Sequence, residues 1–456
     1  MSFLFSDKVF YHIYALGLSG AARRNDFSSQ AGDFFERLST DLDRIRSLGC
    51  NALLIGPVFE STAHGYDTAD YFRIDRRLGS NESFSEFCRL CHEKGFSVVL
   101  DAVFNHTGRD FFAFKDIQKN GRESQFANWY ANLNFERGSG WGDPFDYEGW
   151  AGCKDLVKLN SANRDVQNHL FAAVKMWIED FGIDGLRLDA ADVLSKDFLD
   201  ALSSFCKKMK SDFWLMGEVV HGDYTDWAHE GRLNSVTNYQ IYKALWSSLN
   251  DQNLFELSYN LERESDSEKG MYKNIALYNF ADNHDVNRAG SALSAPDRHL
   301  PLLYALLFTI PGIPSIYYGS EFGIKGERNE SGDHALRPAL PPFAPAIPEE
   351  ARQNFDTAFL PPLIARYAKI RAEHTALQSG DFSVALTKNR QLAFWRRNAD
   401  EQILVIVNSD FEAARVELEA VPFGEYTDLL TERRFHSDNL KELEIAPCSA
   451  MILRKM

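Results

Sequence analysis

Residues 41–55, DLDRIRSLGCNALLI, join the end of an amphipathic helix to a short apolar strand. The apolar face of the helix is marked by residues spaced three and four apart, namely Leu38, Leu42 and Ile45. Gly49 ends the helix, and the apolar run 52–55 follows it at a length typical of a buried strand. A second helical segment then leads to another apolar run at 97–104. This order predicts two parallel strands joined by a crossover helix.

The same alternation of short strands and amphipathic helices continues along most of the chain. The helix after the second strand carries a capping pair, Ser83 and Glu86, at its predicted start. Eight strands are predicted in all, over residues 9–14, 52–55, 97–104, 185–189, 213–218, 235–238, 277–281 and 315–318. Eight such units favour a (β/α)8 TIM barrel over an open doubly wound sheet, because the glycine-rich phosphate turn of the doubly wound fold is absent.

Two stretches interrupt this alternation. Residues 106–160 are rich in Gly, Asn and aromatic residues without a helical period, and are too long for an ordinary loop. From about residue 381 the hydrophobic period becomes two, and the runs 391–396, 402–407 and 443–453 predict antiparallel strands. We therefore expect three units, namely an α/β barrel over residues 1–105 and 161–375, a small subdomain inserted after strand three over residues 106–160, and a C-terminal antiparallel β-sandwich over residues 376–456.

The composition narrows the classes of function. Lys and Arg number 49 against 65 Asp and Glu, for a formal charge of −16, which disfavours nucleic acid as a partner because phosphate binding needs a basic surface. The longest apolar stretch, residues 302–310, is too short to span a bilayer. The N-terminus lacks the basic and apolar regions of a signal peptide, so we expect no membrane association and a cytoplasmic location.

Charged and polar side chains end several predicted strands, where the reacting groups of barrel enzymes lie. They are Asp101, Asn105 and His106 at the third strand, Arg187 and Asp189 at the fourth, Glu218 at the fifth, and His284 and Asp285 after the seventh. Any one of them alone is more simply a helix cap, a turn former or half of a structural ion pair. So many buried charges at one face would be costly without compensation, and their conjunction favours a functional site.

Two of these carboxyl groups form a predicted pair. Arg187 and Asp189 point the same way, because side chains alternate along a strand, and we expect the guanidinium to keep Asp189 ionised. The next strand of the barrel brings Glu218 to face Asp189. Paired carboxyl groups in a cleft indicate acid/base or nucleophilic catalysis. A metal-dependent barrel hydrolase is an alternative, raised by the motif Glu218-x-x-His221.

Four segments of the chain form a recognisable set in this order. They are DAVFNH at 101–106, GLRLD at 185–189, GEV at 217–219 and FADNHD at 280–285, supported by HGYDTADY at 64–71 and PGIPSIYYG at 311–319. This set resembles the signature regions of the α-amylase family of retaining glycoside hydrolases. The resemblance covers nearly the whole chain, including the inserted subdomain and the C-terminal sandwich.

The resemblance implies a role for each of several residues. It implies that Asp189 is the nucleophile, Glu218 the acid/base and Asp285 the acid that stabilises the transition state. It also implies a substrate-binding set: Tyr66 stacking on the sugar, His106 and His284 bonding its hydroxyls, Arg187 beside the nucleophile, and Asp333 and Arg337, which are similar to a pair that holds the glucan on its non-reducing side.

The sequence departs from the family pattern at two places. Asp192 and Val193 stand where many α-amylases have a Lys-His pair, so the specificity on the leaving-group side stays open. Lys158 stands where calcium-binding members have Asp, and an ammonium group cannot ligate Ca²⁺, although it can replace its charge. We therefore expect no required cofactor and no calcium at this position. The surrounding segment LVKLN, residues 156–160, is similar to that of neopullulanase and cyclomaltodextrinase relatives.

These observations predict a retaining α-glucan hydrolase that cleaves α-1,4 bonds of starch fragments or malto-oligosaccharides through a covalent glycosyl-enzyme intermediate. The alternatives are a transglycosylase, a neopullulanase or a cyclomaltodextrinase of the same family. A non-catalytic carbohydrate-binding protein is a further alternative, against which the three acids Asp189, Glu218 and Asp285 argue. The expected partner is an α-glucan or a malto-oligosaccharide.

Overall fold

A computed structural model describes residues 3–330 and 332–456 of the chain. Its centre is a sheet of eight parallel strands. In chain order they are Phe10–Ile13, Ala52–Ile55, Ser97–Ala102, Gly185–Leu188, Trp214–Gly217, Ser235–Val236, Tyr278–Phe280 and Ile313–Tyr317. The sheet order runs from the sixth strand down to the first and then to the eighth and seventh. A parallel bridge between Thr237 and Tyr278 joins the sixth strand to the seventh, so the sheet closes into the predicted barrel.

The longer helices surround the barrel and bury an apolar face against it. The longer helices are Phe34–Ser47, Asn81–Glu93, Arg164–Asp180, Lys196–Met209, Tyr239–Asn250, Phe255–Ser265, Pro296–Thr309 and Leu360–Glu373, and the shorter ones are Ala15–Leu18, Phe112–Asn120, Ala289–Ala292, Thr375–Ser379 and Ser437–Leu440. The first long helix buries Leu38, Leu42 and Ile45, as its period predicts. Gly49 follows that helix with a φ of +86°, and a Cβ there would lie 2.4 Å from Cβ of Ala368.

One predicted helix start is wrong by one turn. The helix Asn81–Glu93 is capped by Ser80, whose hydroxyl accepts from the backbone N–H of Ser83, and the Ser83 hydroxyl in turn accepts from the backbone N–H of Ser80. Ser83 is thus the third residue of the helix, and the predicted partner Glu86 lies on its exposed side, bonded to Arg89. Serine at both positions made either start compatible with the sequence pattern.

The chain between the third and fourth barrel strands forms a small sheet of its own. Its strands are His106–Gly108, Gly149–Trp150 and Cys153–Lys158, with the last in the middle. His106 pairs with Lys158 in the antiparallel register. Because this segment leaves the barrel at the carboxyl end of the third strand, it stands beside the mouth of the barrel. A hairpin in the loop after the second strand, Phe59–Ser61 and Thr68–Ile74, lies on the same side.

The C-terminal part of the chain contains two antiparallel sheets, as predicted. The larger has six strands, in the order Asp381–Thr387, Gln391–Arg397, Gln402–Asn408, Ser449–Lys455, Glu425–Asp428 and Arg434–His436, and the smaller pairs Ala414–Glu417 with Glu442–Ile445. The predicted run 443–453 is wrong as one strand, because Cys448 adopts a positive φ of 44° and the chain passes there from the smaller sheet to the larger. Among the described residues, no helix is long and apolar enough to cross a membrane.

Candidate active site

A cleft of about 710 Å³ opens at the carboxyl ends of the barrel strands. Its walls come from the loops after the barrel strands and from the inserted segment. Seven of the nine sequence-predicted site residues line it directly: Tyr66, His106, Asp189, Glu218, Asp285, Asp333 and Arg337. The other two, Arg187 and His284, are buried in contact with lining residues. The structure therefore brings all nine predicted residues together at one site.

Arg187 lies at the centre of the carboxyl groups. One of its terminal nitrogens donates to both oxygens of Asp101 at 2.7 Å and to Oδ1 of Asp189 at 3.1 Å. The other lies 2.9 Å from Oε2 of Glu218. The register explains this sharing, because Arg187 pairs with Asp101 on the third strand and with Met216, two residues before Glu218, on the fifth. One buried cation thus serves three carboxyl groups on three adjacent strands.

The pKa of Asp189 differs from the one expected from its neighbour Arg187 alone. Burial, together with the neighbouring carboxyl groups of Glu218, Asp101 and Asp285, raises the pKa of Asp189 well above its ordinary value. Arg187 acts in the opposite direction but does not prevail, because its charge is divided among several acids. Burial also raises the pKa of Asp101. Asp189 and Asp101 therefore hold a proton more tightly than an isolated carboxyl group does.

Glu218 is held in place by three further contacts. Its backbone N–H donates to the carbonyl of Leu188, and the N–H of Ala190 donates to Oε2 at 3.2 Å. The hydroxyl of Tyr239 donates to Oε1 at 3.1 Å. Sequence reasoning missed Tyr239, whose only signal is its position directly after the end of the sixth strand. These contacts fix the carboxyl group of Glu218 against the wall of the cleft.

Asp285 approaches from the opposite side of the barrel mouth. Its backbone N–H donates to Oδ1 of Asn283. Its carboxylate lies 3.0 Å from Nε2 of His284 and accepts from Arg337 at 2.9 Å. Burial acts to raise the pKa of Asp285, but His284, Arg337 and Arg187 hold it well below its ordinary value. Asp285 therefore stays ionised.

Tyr66 and His284 form a stacked pair at the wall of the cleft. Their rings lie 5.4 Å apart and nearly parallel, and the Tyr66 hydroxyl contacts Nε2 of His284. The same hydroxyl donates to Oδ2 of Asp101 at 3.0 Å. The ring of Tyr14 stacks nearby, 6.5 Å from the ring of Tyr66. Tyr66 is thus tied to the acid cluster through its oxygen while its ring lines the cleft.

His106 faces the cleft as a neutral ring. Burial lowers the pKa of His106 to about 3, and its Nδ1 lies 3.2 Å from the amide nitrogen of Asn105. Its Nε2 is buried and has no hydrogen-bond partner among the described residues. Trp150 of the inserted segment stacks on it at 6.3 Å. Trp150 also lines the cleft, and sequence reasoning missed it because its segment has no periodicity.

Asp333 and Arg337 are paired, as their spacing indicates. Arg337 donates to Oδ2 of Asp333 at 3.0 Å and to the carbonyl of His284 at 2.9 Å. Arg328, which sequence reasoning missed, donates to Asp333 at 2.6 Å and also lines the cleft. Arg337 therefore connects Asp333 to Asp285 instead of standing free in the cleft.

Lys158, on which the expectation of no calcium rests, is paired within the inserted segment. Its ammonium group donates to Oε1 of Glu148 at 2.6 Å, and Asn132 donates to the other oxygen of Glu148. A cation that is already paired with the local carboxylate offers no ligand to Ca²⁺ and repels it. The residues at this position do not fit a calcium site. Over residues 3–330 and 332–456, no group of three or more His, Cys, Asp or Glu side chains is arranged to hold a metal ion.

The chain is similar to known proteins in both sequence and structure. Residues 24–355 match the alpha-amylase family, described as the alpha amylase catalytic domain. A cyclomaltodextrinase from Bacillus sp is 30% identical over 89% of the chain and 73% of its own length. An intracellular maltogenic amylase from Bacillus subtilis is 30% identical over 84% of the chain but only 62% of its own length. The structure of a cyclic alpha-maltosyl-(1→6)-maltose hydrolase from Arthrobacter globiformis, 25% identical, superposes with a TM-score of 0.81 over 99% of both chains.

Proposed function

This chain belongs to the alpha-amylase family and is a glycoside hydrolase, and we propose that it cleaves α-1,4-glucosidic bonds of malto-oligosaccharides or starch fragments with retention of configuration. The proposed reaction passes through a covalent glycosyl-enzyme intermediate. The relative from Bacillus subtilis is named an intracellular maltogenic amylase, and this name supports a cytoplasmic location for the present chain.

This proposal rests on one observation: the carboxyl groups of Asp189 and Glu218, which both line the cleft, contact the same guanidinium of Arg187. Asp189 and Glu218 contact the same guanidinium at 3.1 and 2.9 Å, on adjacent strands. Retaining hydrolysis needs two carboxyl groups close together, roughly 5 to 5.5 Å apart, one ionised and one protonated. The guanidinium of Arg187 lies between the two carboxyl groups and stabilises whichever of them is ionised, which supports a pair of one carboxylate and one acid.

The proposed roles follow from this arrangement. The carboxylate of Asp189 attacks the anomeric carbon while Glu218 gives its proton to the glycosidic oxygen, so the bond to the leaving sugar breaks as the ester forms. Water then attacks the same carbon, the ester bond to Asp189 breaks, and Glu218, now ionised, takes a proton from that water, so both carboxyl groups are restored. The ionised Asp285 stabilises the positive charge that develops on the sugar ring.

The second candidate is an enzyme that acts on cyclomaltodextrins or pullulan through the same site. The similarity to a cyclomaltodextrinase and the wide cleft favour it. On the leaving-group side, Asp192 and Val220 line the cleft. A transglycosylase, in which a sugar replaces water as the acceptor, uses the same acids and stays an alternative.

The test is a product profile from purified protein given maltoheptaose, pullulan and cyclodextrins, with NMR of the first product formed. We expect maltoheptaose to be cleaved and the fresh product to be the α-anomer. Asp189→Asn should abolish turnover, and Glu218→Gln should slow both steps, whereas the exposed Asp43→Asn should leave turnover unchanged. Fresh β-anomer would refute retention, and cleavage by Asp189→Asn at the wild-type rate would remove Asp189 from the site.

A further inference from the structure

A second cavity adjoins the catalytic cleft. It has a volume of about 430 Å³ and lies between the loop after the second barrel strand and the inserted segment. Its lining includes Arg24, His64, Asp110, Trp141 and Asp155, and we call it the Trp141 cavity. His64 also lines the catalytic cleft, so the two cavities share a wall. The two cavities therefore lie on either side of the His64 side chain.

Trp141 is the aromatic surface of this cavity. Its side chain is 53% exposed, which is a large apolar area to leave in water. The guanidinium of Arg109 lies 5.9 Å from its ring, and its backbone N–H donates to the hydroxyl of Ser139. An indole that is exposed at the rim of a cavity presents a flat apolar face to a ligand.

A network of hydrogen bonds holds the loop that carries Trp141. Buried Asp143 accepts from Arg109 at 2.7 Å, from Gln118 at 2.8 Å and from the Ser139 hydroxyl at 2.9 Å. Because Ser139 in turn accepts from Trp141, the indole is attached to this network at its backbone. An aromatic side chain on a loop that is already held in place loses less conformational freedom on binding a ligand than one on a mobile loop.

The polar lining carries both signs of charge. Arg24 and Asp155 are exposed, His64 is partly exposed, and Asp110 accepts from the Thr62 hydroxyl at 2.8 Å. A cavity with acids and bases together suits neither a simple anion nor a simple cation. It suits a ligand with many hydroxyl groups, each of which donates and accepts, and with one apolar face for the indole. A pyranose ring has both properties.

We propose that the Trp141 cavity is an accessory glucosyl subsite, in which Trp141 stacks on a sugar of the chain or branch that extends beyond the catalytic cleft past His64. This inference rests on the proposed function, because it takes the substrate to be an α-glucan. It makes Trp141 a determinant of preference for longer substrates.

The first test compares substrates of different length. In Trp141→Ala, the ratio of kcat/KM for maltoheptaose to that for maltotriose should fall about tenfold, as loss of an aromatic stacking platform implies. Trp141→Phe keeps a smaller ring and should lower the ratio less, and Arg24→Ala should lower it in the same direction. Phe423→Ala, at an aromatic side chain that is 80% exposed in the C-terminal sheets, is the matched control and should leave the ratio unchanged.

The second test is binding of maltoheptaose to Asp189→Asn protein by calorimetry, with and without Trp141→Ala. We expect the affinity to be about tenfold weaker when the indole is absent. An unchanged ratio together with unchanged affinity would overturn the inference and leave the proposed function standing. If the wild-type protein cleaves no α-glucan, the proposed function fails, and the binding measurement alone then decides whether the cavity receives a glucan.

Discussion

At the scale of single residues, Tyr66 combines a ring that lines the cleft with a hydroxyl that is already engaged. The hydroxyl reaches Asp101 and His284, and the ring lies beside the rings of His284 and Tyr14, which also contact each other. A flat pyranose face set against such a ring buries apolar C–H surface. The hydroxyl and the ring therefore make separable contributions, one to the order of the acid cluster and one to sugar binding.

We predict that Tyr66→Ala lowers kcat/KM by at least about tenfold to a hundredfold, since truncation of a stacking ring removes roughly 2 to 4 kcal/mol of binding and each 1.4 kcal/mol is about tenfold. Tyr66→Phe, which loses only the hydrogen bonds, should lose less, by roughly 0.5 to 1.5 kcal/mol. Both variants and the exposed control Tyr259→Ala are measured for kcat/KM and for Tm on one preparation. A lower Tm with unchanged kcat/KM would make Tyr66 only a loop anchor.

The arrangement of Arg187 and Asp189 shows where prediction from the sequence ends at this scale. Alternation along the fourth strand correctly places the two side chains on the same side, in contact at 3.1 Å. Burial and the carboxyl groups of Glu218 and Asp101 act against Arg187 and raise the pKa of Asp189, and Asp101 and Glu218 also share the guanidinium. That sharing depends on strand register, which brings Asp101 opposite Arg187 from 86 residues away.

At the scale of elements, the strand Cys153–Lys158 ends in an ion pair between Lys158 and Glu148. The Lys158 ammonium and Glu148 are about one third exposed, so their pairing contributes less than about 1 kcal/mol. We predict that EDTA leaves activity and Tm nearly unchanged, because no carboxylate cage is available at this strand for calcium. Activity and melting are measured in EDTA and again after Ca²⁺ is added. A large loss in EDTA that calcium restores would contradict this.

The helix Phe255–Ser265 carries a buried acid, Glu264, behind the sixth strand. Burial raises the pKa of Glu264 from 4.5 to about 7, although Asn238 donates to it at 2.9 Å. Below pH 4.5 both folded and unfolded chains hold this proton. Between pH 4.5 and 7 only the folded chain keeps it, so up to about 3 kcal/mol of stability is lost as the pH rises through this window.

We predict that Glu264→Gln removes this loss, because an amide needs no proton to stay neutral. The Tm of the variant relative to wild type should therefore increase as the pH is raised from 5 to 8, and the difference should level off above pH 7. Glu262→Gln, on the same helix and partly exposed, is the control and should follow the wild-type curve. A pH-independent difference for Glu264→Gln would show that Glu264 does not titrate in this window.

The elements also show which patterns the sequence carries and which it does not. All eight barrel strands were predicted, because most are short apolar runs between helices, although the third ends at Ala102 and not at 104. The small sheet of the inserted segment was not predicted. Its middle strand pairs with His106–Gly108 some fifty residues earlier in the chain, and a pairing of that separation leaves no local period in a Gly-rich, aromatic segment.

At the scale of the whole molecule, the barrel and the larger C-terminal sheet share one hydrophobic core. Successive side chains of the strand Gln402–Asn408 point to opposite faces of the sheet. On one face, Ile403, Val405 and Val407 belong to the core of the barrel. On the other, Leu404 and Ile406 pack toward the smaller sheet. Arg396 of the same sheet donates to the carbonyl of Thr309, at the end of a barrel helix, at 2.8 Å. Apolar and polar contacts thus both connect the two parts.

We therefore predict that the barrel and the C-terminal sheets unfold in one transition. Ile452 lies on the barrel-facing side of the sheet and is fully buried in the shared core. Ile452→Ala should cost roughly 2 to 5 kcal/mol, the usual range for such a truncation. The truncation of Ile452 leaves a cavity in the shared core. Calorimetry should therefore show one unfolding peak at a lower Tm, and activity should be lost along the same curve. Leu404→Ala, on the opposite face of the sheet, is the comparison: it removes a side chain that packs only against C-terminal residues. If the C-terminal sheets are an independent unit, either variant will instead split the peak in two, and activity will survive the first transition.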